Sequence, residues 1–399
     1  MSGVTKHIYD HEIRDIHSMW NQEIKSISAL LPKEYTFYDV VALLKKYYPH
    51  EWNSVQFKYE YYKKKDQYLK RRFGKARYNM KSAEVLLQSN PECRKIMSKK
   101  FMRNHSDKFN DLESQKAETA LWAKREPKIN RINSKIELAK SKTQQVTPEF
   151  IDKLIGLYSR KNTSQKDKVY IIYELKKYYN KKVINFFFKQ NDTEINKQLR
   201  LIAFYHLQSF NYQPRLRRQK YMQIHKKNKK KKNYLKYEYA NQQYTLLQNP
   251  QELEYRIENG PEQKIKEYDY FISHSSMDSS AVQQLIIYEN SLGKYIFCDW
   301  INDADYLKRH LVCDATLKVI EMRLEKSKSL IFVKSENSMS SIWCKYELNY
   351  FNELGRPIYV INKDEIENAN FSMKLMDKNL FLGPNFKALA LFNSNKPCE

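Results

Sequence analysis

The stretch Tyr268-Asp-Tyr-Phe-Ile-Ser273, followed directly by His274-Ser-Ser-Met-Asp278, decides the fold of the C-terminal part of the chain. The aromatic and β-branched residues of the first segment predict a short strand. The Ser/Asp cluster after it is typical of a helix start, and the helix is expected over Ser279–Ser291, with Gly293 ending it. A strand joined to a helix by a short polar loop is the first half of a βαβ unit.

The same alternation continues toward the C-terminus. Further strands are predicted at 294–299, 329–334 and 357–361, with helices at 314–327 and 342–354 and polar loops at 300–308 and 335–341. Alternation at this spacing predicts right-handed βαβ units and a parallel sheet. Ligands bind at the carboxyl ends of such strands, so the segments 273–275, 299–300 and 335–337 are predicted to form a site.

Three segments in this part resemble Toll/interleukin-1 receptor (TIR) domains. Tyr268–Ser276 is similar to the first TIR sequence box, and Cys298-Asp-Trp300 is similar to the second strand and the loop after it. Ser340-Ser-Ile-Trp-Cys-Lys-Tyr-Glu347 resembles the S-x-x-W-x-x-x-E segment of TIR domains that cleave NAD. The resemblance is to the bacterial, anti-phage defence type and implies a flavodoxin-like α/β domain with a parallel sheet over residues 266–399.

The resemblance also implies a reaction, the cleavage of the bond between nicotinamide and ribose. It assigns to Glu347 the carboxylate that stabilises positive charge developing on the ribose. Trp343 lies four residues earlier on the same predicted helical face and could stack on a ring of the dinucleotide. The remaining expected substrate-binding residues are Ser273, His274, Ser275, Asp299 and Trp300. NAD is expected as substrate and not as cofactor, and no metal site is predicted.

Simpler interpretations of the same residues stay open. Trp343 and Glu347 at this spacing also fit a core aromatic residue and a solvated helix charge. Asp299 and Trp300 could merely end a strand, and Asp303, Asp305 and the pair Lys308-Arg309 could be loop surface. Cys298 and Cys344 are expected to be small buried apolar residues.

The N-terminal two-thirds of the chain differ in charge and glycine content. The whole chain of 399 residues carries a net charge of +25, whereas residues 266–399 carry −2 and residues 1–265 carry +27. Few glycines precede residue 260, which favours helices. We expect a basic helical region at 1–145 and a second helical region at 146–260, faintly similar to HEAT-type repeats around 168–207. Breaker residues at 249–261 predict a boundary.

A basic strip at residues 215–232 contains ten Lys and Arg residues and no acidic residue. Together with neighbouring tyrosines, these cations suit nucleic acid, because they pair with phosphates while aromatic rings stack on bases. The candidate contacts are Arg217, Arg218, Lys226, Lys227, Lys229 and Lys230. The alternative is a solvated strip in a lysine-rich chain.

Composition excludes several classes of protein. Only 7 Gly and 11 Pro exclude collagen-like chains, and 5 scattered Cys without a C-x-x-C pair argue against a disulfide scaffold and for a reducing, cytoplasmic location. No apolar run reaches the length of a membrane span, so no membrane contact is expected.

The residue patterns predict a multidomain chain with a mostly helical N-terminal region and a C-terminal α/β domain, and the resemblance to TIR domains implies an NAD nucleosidase of bacterial immunity. We expect it to be triggered through the N-terminal region by nucleic acid or a phage product and to act as a homo-oligomer. The alternatives are a non-catalytic TIR scaffold and a nucleic-acid-binding sensor.

Overall fold

The computed structural model describes residues 4–307 and 312–376. Contacts divide the chain into two compact units. Unit 1 comprises Met1–Ile136 and Asn211–Gln213, and unit 2 comprises Glu137–Phe210 and Pro214–Glu399. Among the described residues, no helix is both long and apolar enough to cross a membrane.

Unit 1 is helical. Its helices are α1 (Val4–Ile27), α2 (Phe37–Tyr47), α3 (Pro49–Phe73), α4 (Ala83–Gln88), α5 (Pro91–Ile96) and α6 (Lys99–Lys108), followed by most of α7 (Asp111–Ser141). A capping box of Thr36 and Asp39 begins α2, and Gly74, with φ of 72°, ends α3. The core holds Trp20 and Tyr47, which are fully buried.

Unit 2 contains seven complete α-helices among the described residues that precede the sheet. They are α8 (Phe150–Ser159), α9 (Gln165–Lys176), α10 (Lys181–Thr193), α11 (Lys197–Ser209), α12 (Lys229–Asn233), α13 (Pro250–Asn259) and α14 (Pro261–Lys264). Three of them, α9 to α11, coincide with the apolar runs predicted around 168–207. Ser164, Asn180 and Asn196 cap α9, α10 and α11 through their side chains. The helix α10 packs on α11, and α8 packs on α9. We call α8–α11, with the extended segment around Gln144, the helical layer.

The predicted boundary segment forms helices that contact the C-terminal part of unit 2. Asn249 caps α13 and Pro250 occupies its first turn. Leu253 and Ile257 of α13 share an apolar cluster with Val319, which lies in the C-terminal α/β part. A Cβ at Gly260 would lie 2.6 Å from the carbonyl oxygen of Arg256, so this close approach requires glycine.

The C-terminal part is an α/β domain. Its strands are β1 (Tyr268–Ser273), β2 (Ile296–Phe297), β3 (Ser327–Lys334), β4 (Ile358–Asn362) and β5 (Lys374–Leu375). Their order is β2-β1-β3-β4-β5, with parallel pairing throughout except for the antiparallel β4–β5 pair. The helices are α15 (Ser279–Ser291), α16 (Asp299–Asn302), α17 (Asp314–Glu325), α18 (Glu336–Ser340), α19 (Ile342–Glu353) and α20 (Lys363–Glu367). The predicted fold class, a mostly helical region followed by a flavodoxin-like domain, is confirmed.

The loop after β2 departs from the sequence prediction. The second strand is shorter than predicted, and α16 (Asp299–Asn302) occupies the predicted end of that strand and the first residues of the predicted polar loop. The surface interpretation of Asp303 is wrong, because this residue is fully buried and its carboxylate accepts hydrogen bonds from Arg323 at 2.8 and 3.0 Å. Asp305 is exposed as expected, and the pair Lys308-Arg309 lies outside the described residues.

Candidate active site

The sheet brings the predicted site residues to one edge. Ser273 ends β1 and lies at its carboxyl end, followed by His274 and Ser275, while Asp299 and Trp300 begin α16 directly after β2. Because β1 pairs in parallel with β2, both segments emerge on the same side of the sheet. The helix α19 carries Glu347 beside them, since this carboxyl interacts with both Ser273 and Asp299.

Glu347 is the most strongly perturbed carboxyl of this edge. The residue as a whole is half-buried, whereas its carboxyl group is enclosed by protein atoms. Burial raises the pKa of Glu347 to about 8, and the negative charge of Asp299 adds to the rise, while the Ser273 hydroxyl opposes it. A carboxyl with a pKa raised toward neutrality, at the carboxyl edge of a parallel sheet, defines a candidate functional site.

Ser273 is a buried neighbour of this carboxyl. The residue is fully buried, and its hydroxyl lies close enough to Glu347 and Cys344 to influence the pKa of each. It completes no hydrogen bond of good geometry among the described residues. A buried hydroxyl in this state can turn to donate to Glu347 or to a ligand.

His274, Cys298 and Asp299 form a compact group at the same edge. One ligand atom from each of the three lies within 4.8 Å of the others. Such a donor set can hold a soft divalent cation. The sequence did not predict this group, because its members come from two strand ends that are 24 positions apart in the chain and only the parallel pairing of β1 with β2 joins them.

The remaining predicted residues have mixed surroundings. The Ser275 hydroxyl accepts a hydrogen bond from the Met277 amide at 3.3 Å, so it stabilises the turn before α15. Trp300 is half-buried against the apolar cluster under β2, and its buried Nε1 has no hydrogen-bond partner within the described ranges. Trp343 is half-buried in the first turn of α19, one turn before Glu347. The roles of these residues in substrate binding stay predictions.

Asp278 is a structural residue of the site that the sequence analysis did not single out. It is buried, and its carboxylate accepts from the Ser335 hydroxyl at 2.5 Å and from the Asn337 amide at 3.2 Å. Lys363 lies 3.4 Å away. Asp278 thereby joins the loops that follow β1 and β3. The predicted cap-rich loops were the available signal, but their contact depends on the β1–β3 pairing.

The basic strip at 215–232 lies elsewhere in unit 2. Arg217 is half-buried, whereas Arg218, Lys226, Lys227, Lys229 and Lys230 are exposed. Arg200 of α11 donates to Gln219 at 2.6 Å, which fixes the first part of the strip. The lysine run forms α12, capped by Asn228.

Comparison with known proteins identifies the class. The chain is 37% identical over 368 residues, 92% of its length and 94% of the relative's, to "Putative cyclic ADP-D-ribose synthase TIR2" of Cytobacillus dafuensis. It is also 37% identical over 98 residues, 25% of its length and half of the relative's, to "Probable 3' cyclic ADP-D-ribose synthase ThsB'" of Bacillus cereus (strain MSX-D12). Toll-like receptor 2 of Mus musculus is 36% identical over 85 residues, 21% of this chain and 10% of the receptor.

No protein-family model matches the chain. No solved structure matches it either. The likeness to TIR2 spans nearly the whole of both proteins, so the chain belongs to the TIR-domain proteins, and the resemblance to the bacterial anti-phage defence type is confirmed. The relationship to TIR2 includes both the helical regions and the α/β domain.

Proposed function

We propose that this protein cleaves the nicotinamide–ribose bond of NAD at the sheet edge formed by Ser273, Asp299 and Glu347. The observation that carries the proposal is the enclosed Glu347 carboxyl at the carboxyl ends of β1 and β2. Its support from outside the structure is the likeness over 92% of the chain to a protein named for cyclic ADP-ribose synthesis.

Charge explains how a carboxyl with this pKa would act. In the ligand-free protein, burial favours the neutral acid of Glu347. The nicotinamide ring of NAD is a cation, and its arrival beside Glu347 would favour the ionised form. As the bond to nicotinamide breaks, positive charge moves onto the ribose, where the carboxylate stabilises it more strongly than water would.

The electron balance allows two products. The electron pair of the C1′–N bond leaves with nicotinamide, which becomes neutral, and the ribosyl cation is captured by a nucleophile that then loses a proton. Water as nucleophile gives ADP-ribose, which is the hydrolase reaction expected from the sequence. A nucleophilic group of the ADP-ribose portion itself gives a cyclic product, and the names of the two bacterial relatives favour this outcome.

The N-terminal region would control this reaction. We infer that it receives the trigger and that protomers assemble through their TIR domains. The exposed lysines of the basic strip favour nucleic acid as one trigger, because they offer contacts to phosphates and residues 215–232 contain no acidic side chain. A phage protein is the other trigger expected from the sequence.

The decisive experiment measures nicotinamide release and the second product in the full chain, at rising protein concentration and with a crowding agent to promote assembly. Glu347→Gln and Glu347→Ala are expected to lower turnover at least about 100-fold. Glu353→Gln is the matched control, since Glu353 is exposed at the end of the same helix.

Chromatography against ADP-ribose and cyclic ADP-ribose standards separates hydrolysis from cyclisation. Turnover that persists in both Glu347 variants would remove this residue from the mechanism. Absence of turnover in every state of assembly, including cells under phage infection, would favour the scaffold interpretation.

A further inference from the structure

We propose that Gln144, in the helical layer, is a positioning residue of the candidate active site, acting through Asn302 on the helix that carries Asp299 and Trp300. This inference rests on the proposed function for its kinetic readout. It assigns to the helical layer a direct part in building the site, in addition to any part in sensing.

Gln144 pairs with the edge strand of the sheet. Its side-chain Nε2 donates to the carbonyl oxygen of Ile296 at 2.5 Å, and its Oε1 accepts from the Ile296 amide at 3.4 Å. Ile296 lies on the edge strand β2, where its backbone amide and carbonyl would otherwise have no partner strand. The side chain of Gln144 forms hydrogen bonds with both groups. Gln144 is itself fixed, because its backbone pairs with Lys177 and Tyr179 at 2.9 and 3.0 Å.

Asn302 transmits this contact to the site. Its Oδ1 accepts from the Gln144 amide at 3.2 Å and from the Cys298 backbone amide at 2.9 Å. Its Nδ2 donates to the Tyr295 hydroxyl at 3.1 Å. Asn302 is buried and closes α16, the four-residue helix that begins with Asp299. Loss of the Gln144 contact would leave a buried amide oxygen with one donor fewer.

Asp303 supplies a second attachment of the same loop. Besides its two hydrogen bonds from Arg323, it lies 3.9 Å from Lys177, which follows α9. Lys177 in turn pairs with Glu174 at 2.8 Å. The residues after Asp299 and Trp300 are thus held from the helical layer at two successive positions, 302 and 303.

The consequence is geometric. Asp299 is exposed and Trp300 is half-buried, whereas Asn302 and Asp303 are buried. The position of α16 is therefore determined mainly by the contacts of Asn302 and Asp303. A displacement of residues that bind the substrate weakens its binding in the ground state and in the transition state alike, which raises KM and leaves kcat nearly unchanged. A change in the position of Gln144 would therefore displace Asp299 and Trp300, although Gln144 itself does not contact the substrate.

The test compares Gln144→Met with Gln145→Met in the full chain. Methionine keeps the volume of Gln144 while removing its amide, and Gln145 is the exposed neighbour. For Gln144→Met we expect KM for NAD to rise roughly tenfold with kcat changed less than about threefold, because misplaced binding residues weaken ground-state contacts. A merely damaged fold would lower kcat through the active fraction and leave KM unchanged, which would overturn the proposal.

Hydrogen exchange gives a readout that needs no turnover. The amides of Ile296, Cys298 and Asn302 are expected to exchange at least about tenfold faster in Gln144→Met than in Gln145→Met. If wild-type protein has no activity, the proposed function fails, and this measurement still decides the positioning role. Unchanged exchange at all three amides would overturn it.

A second variant guards against a Gln144→Met protein that does not fold. Lys177→Gln weakens the attachment at Asp303 while keeping a polar head. It is expected to raise KM in the same direction but less, by about threefold. If this variant has the KM of the wild type, and if its amides at 301–303 exchange hydrogen as slowly as in the wild type, the helical layer does not position the candidate active site.

Discussion

Lysine and arginine occupy two opposite environments in unit 2. In the basic strip, Lys226, Lys227, Lys229 and Lys230 are exposed. In the interior, Lys266 and Arg323 are fully buried, and each lies within 3 Å of a carboxylate, Glu174 and Asp303 respectively. Basic side chains are therefore solvated in the basic strip, whereas in the interior they form buried ion pairs.

The comparison teaches that the position of a partner, and not the residue type, decides the role of a charge. The interior cations join segments distant in the chain: Lys266 pairs with Glu174 across 92 positions, and Arg323 pairs with Asp303 across 20. Gln263 connects the two pairs by donating to Glu174 at 2.9 Å and accepting from Arg323 at 3.1 Å. Buried charges require such partners, whereas exposed ones do not.

The largest loss of stability is expected when the buried ion pair between Arg323 and Asp303 is removed. Arg323→Met should lower the free energy of unfolding by about 3–5 kcal/mol, because the buried Asp303 carboxylate loses both hydrogen bonds from Arg323 and keeps Lys177 at 3.9 Å, beyond hydrogen-bonding distance. Urea unfolding followed by circular dichroism measures it. Lys328→Met is the control, since the Lys328–Asp269 pair at 3.0 Å is open to solvent and should change stability by less than about 1 kcal/mol. Equal effects of the two variants would contradict the distinction.

A smaller loss is expected at Lys266, because Glu174 keeps its second cation, Lys177. Lys266→Met should cost about 2–3 kcal/mol of unfolding free energy, and Glu174→Gln in the same chain should recover part of it. The same urea titration, run as a double-mutant cycle, tests this coupling. Strictly additive losses would show that the two groups act independently.

The Glu347 carboxyl is enclosed with Asp299, and not a cation, as its charged neighbour within the described residues, so the stability of the protein should depend on its protonation. Its pKa is raised to about 8 in the folded protein by burial and by Asp299, and lowered by Ser273, with the Cys344 and Cys298 thiols nearby. The folded state therefore holds the proton more tightly than the unfolded state. Stability is lost as pH rises from about 4.5 to about 8.

Glu347→Gln should remove this pH dependence. The variant should match wild type near pH 4 and exceed it by about 2 kcal/mol at pH 9, less than the full shift implies because solvent reaches part of the residue. Thermal unfolding at both values of pH, with Glu353→Gln alongside, measures the difference. A gap that stays constant with pH would contradict the raised pKa.

The smallest effect on stability is expected in the basic strip. Replacing Lys226, Lys227, Lys229 and Lys230 together by Gln should change the free energy of unfolding by less than about 0.5 kcal/mol. If the strip binds single-stranded nucleic acid, the slope of log affinity against log salt should fall by about 0.7 for each lost phosphate contact. Fluorescence anisotropy with a labelled oligonucleotide measures it, and Lys153→Gln with Lys161→Gln is the control. An unchanged slope would remove the strip from binding.

Local sequence patterns predicted most of the α/β domain. The strand Tyr268–Ser273 and the helix Ser279–Ser291 have the predicted bounds, because caps and glycines act over a few residues. Glycines at 293 and 355 adopt positive φ, 80° and 69°, at the predicted helix ends. The strand at 374–375 was not predicted, since two residues carry no periodic signal.

The surroundings of the candidate site were less predictable. Family resemblance selected Glu347, but its raised pKa arises from burial and from the charge of Asp299, which lies 48 positions earlier in the chain. The burial of Asp303 was missed because its partner Arg323 belongs to the next helix, and no local pattern reports such a pairing. The contacts of Gln144 span more than 150 positions, so only the folded structure reveals them.

The pairing of Gln144 with β2 has a consequence for protein engineering. A TIR domain excised at the sequence boundary near residue 266 would begin at Lys266 without Glu174, and its β2 edge would be exposed to strands of other molecules. Grafting this TIR domain onto a foreign sensor therefore requires transplanting residues from about 137 onward. The segment that must be transferred as a whole is therefore longer than the 85 residues that are similar to Toll-like receptor 2.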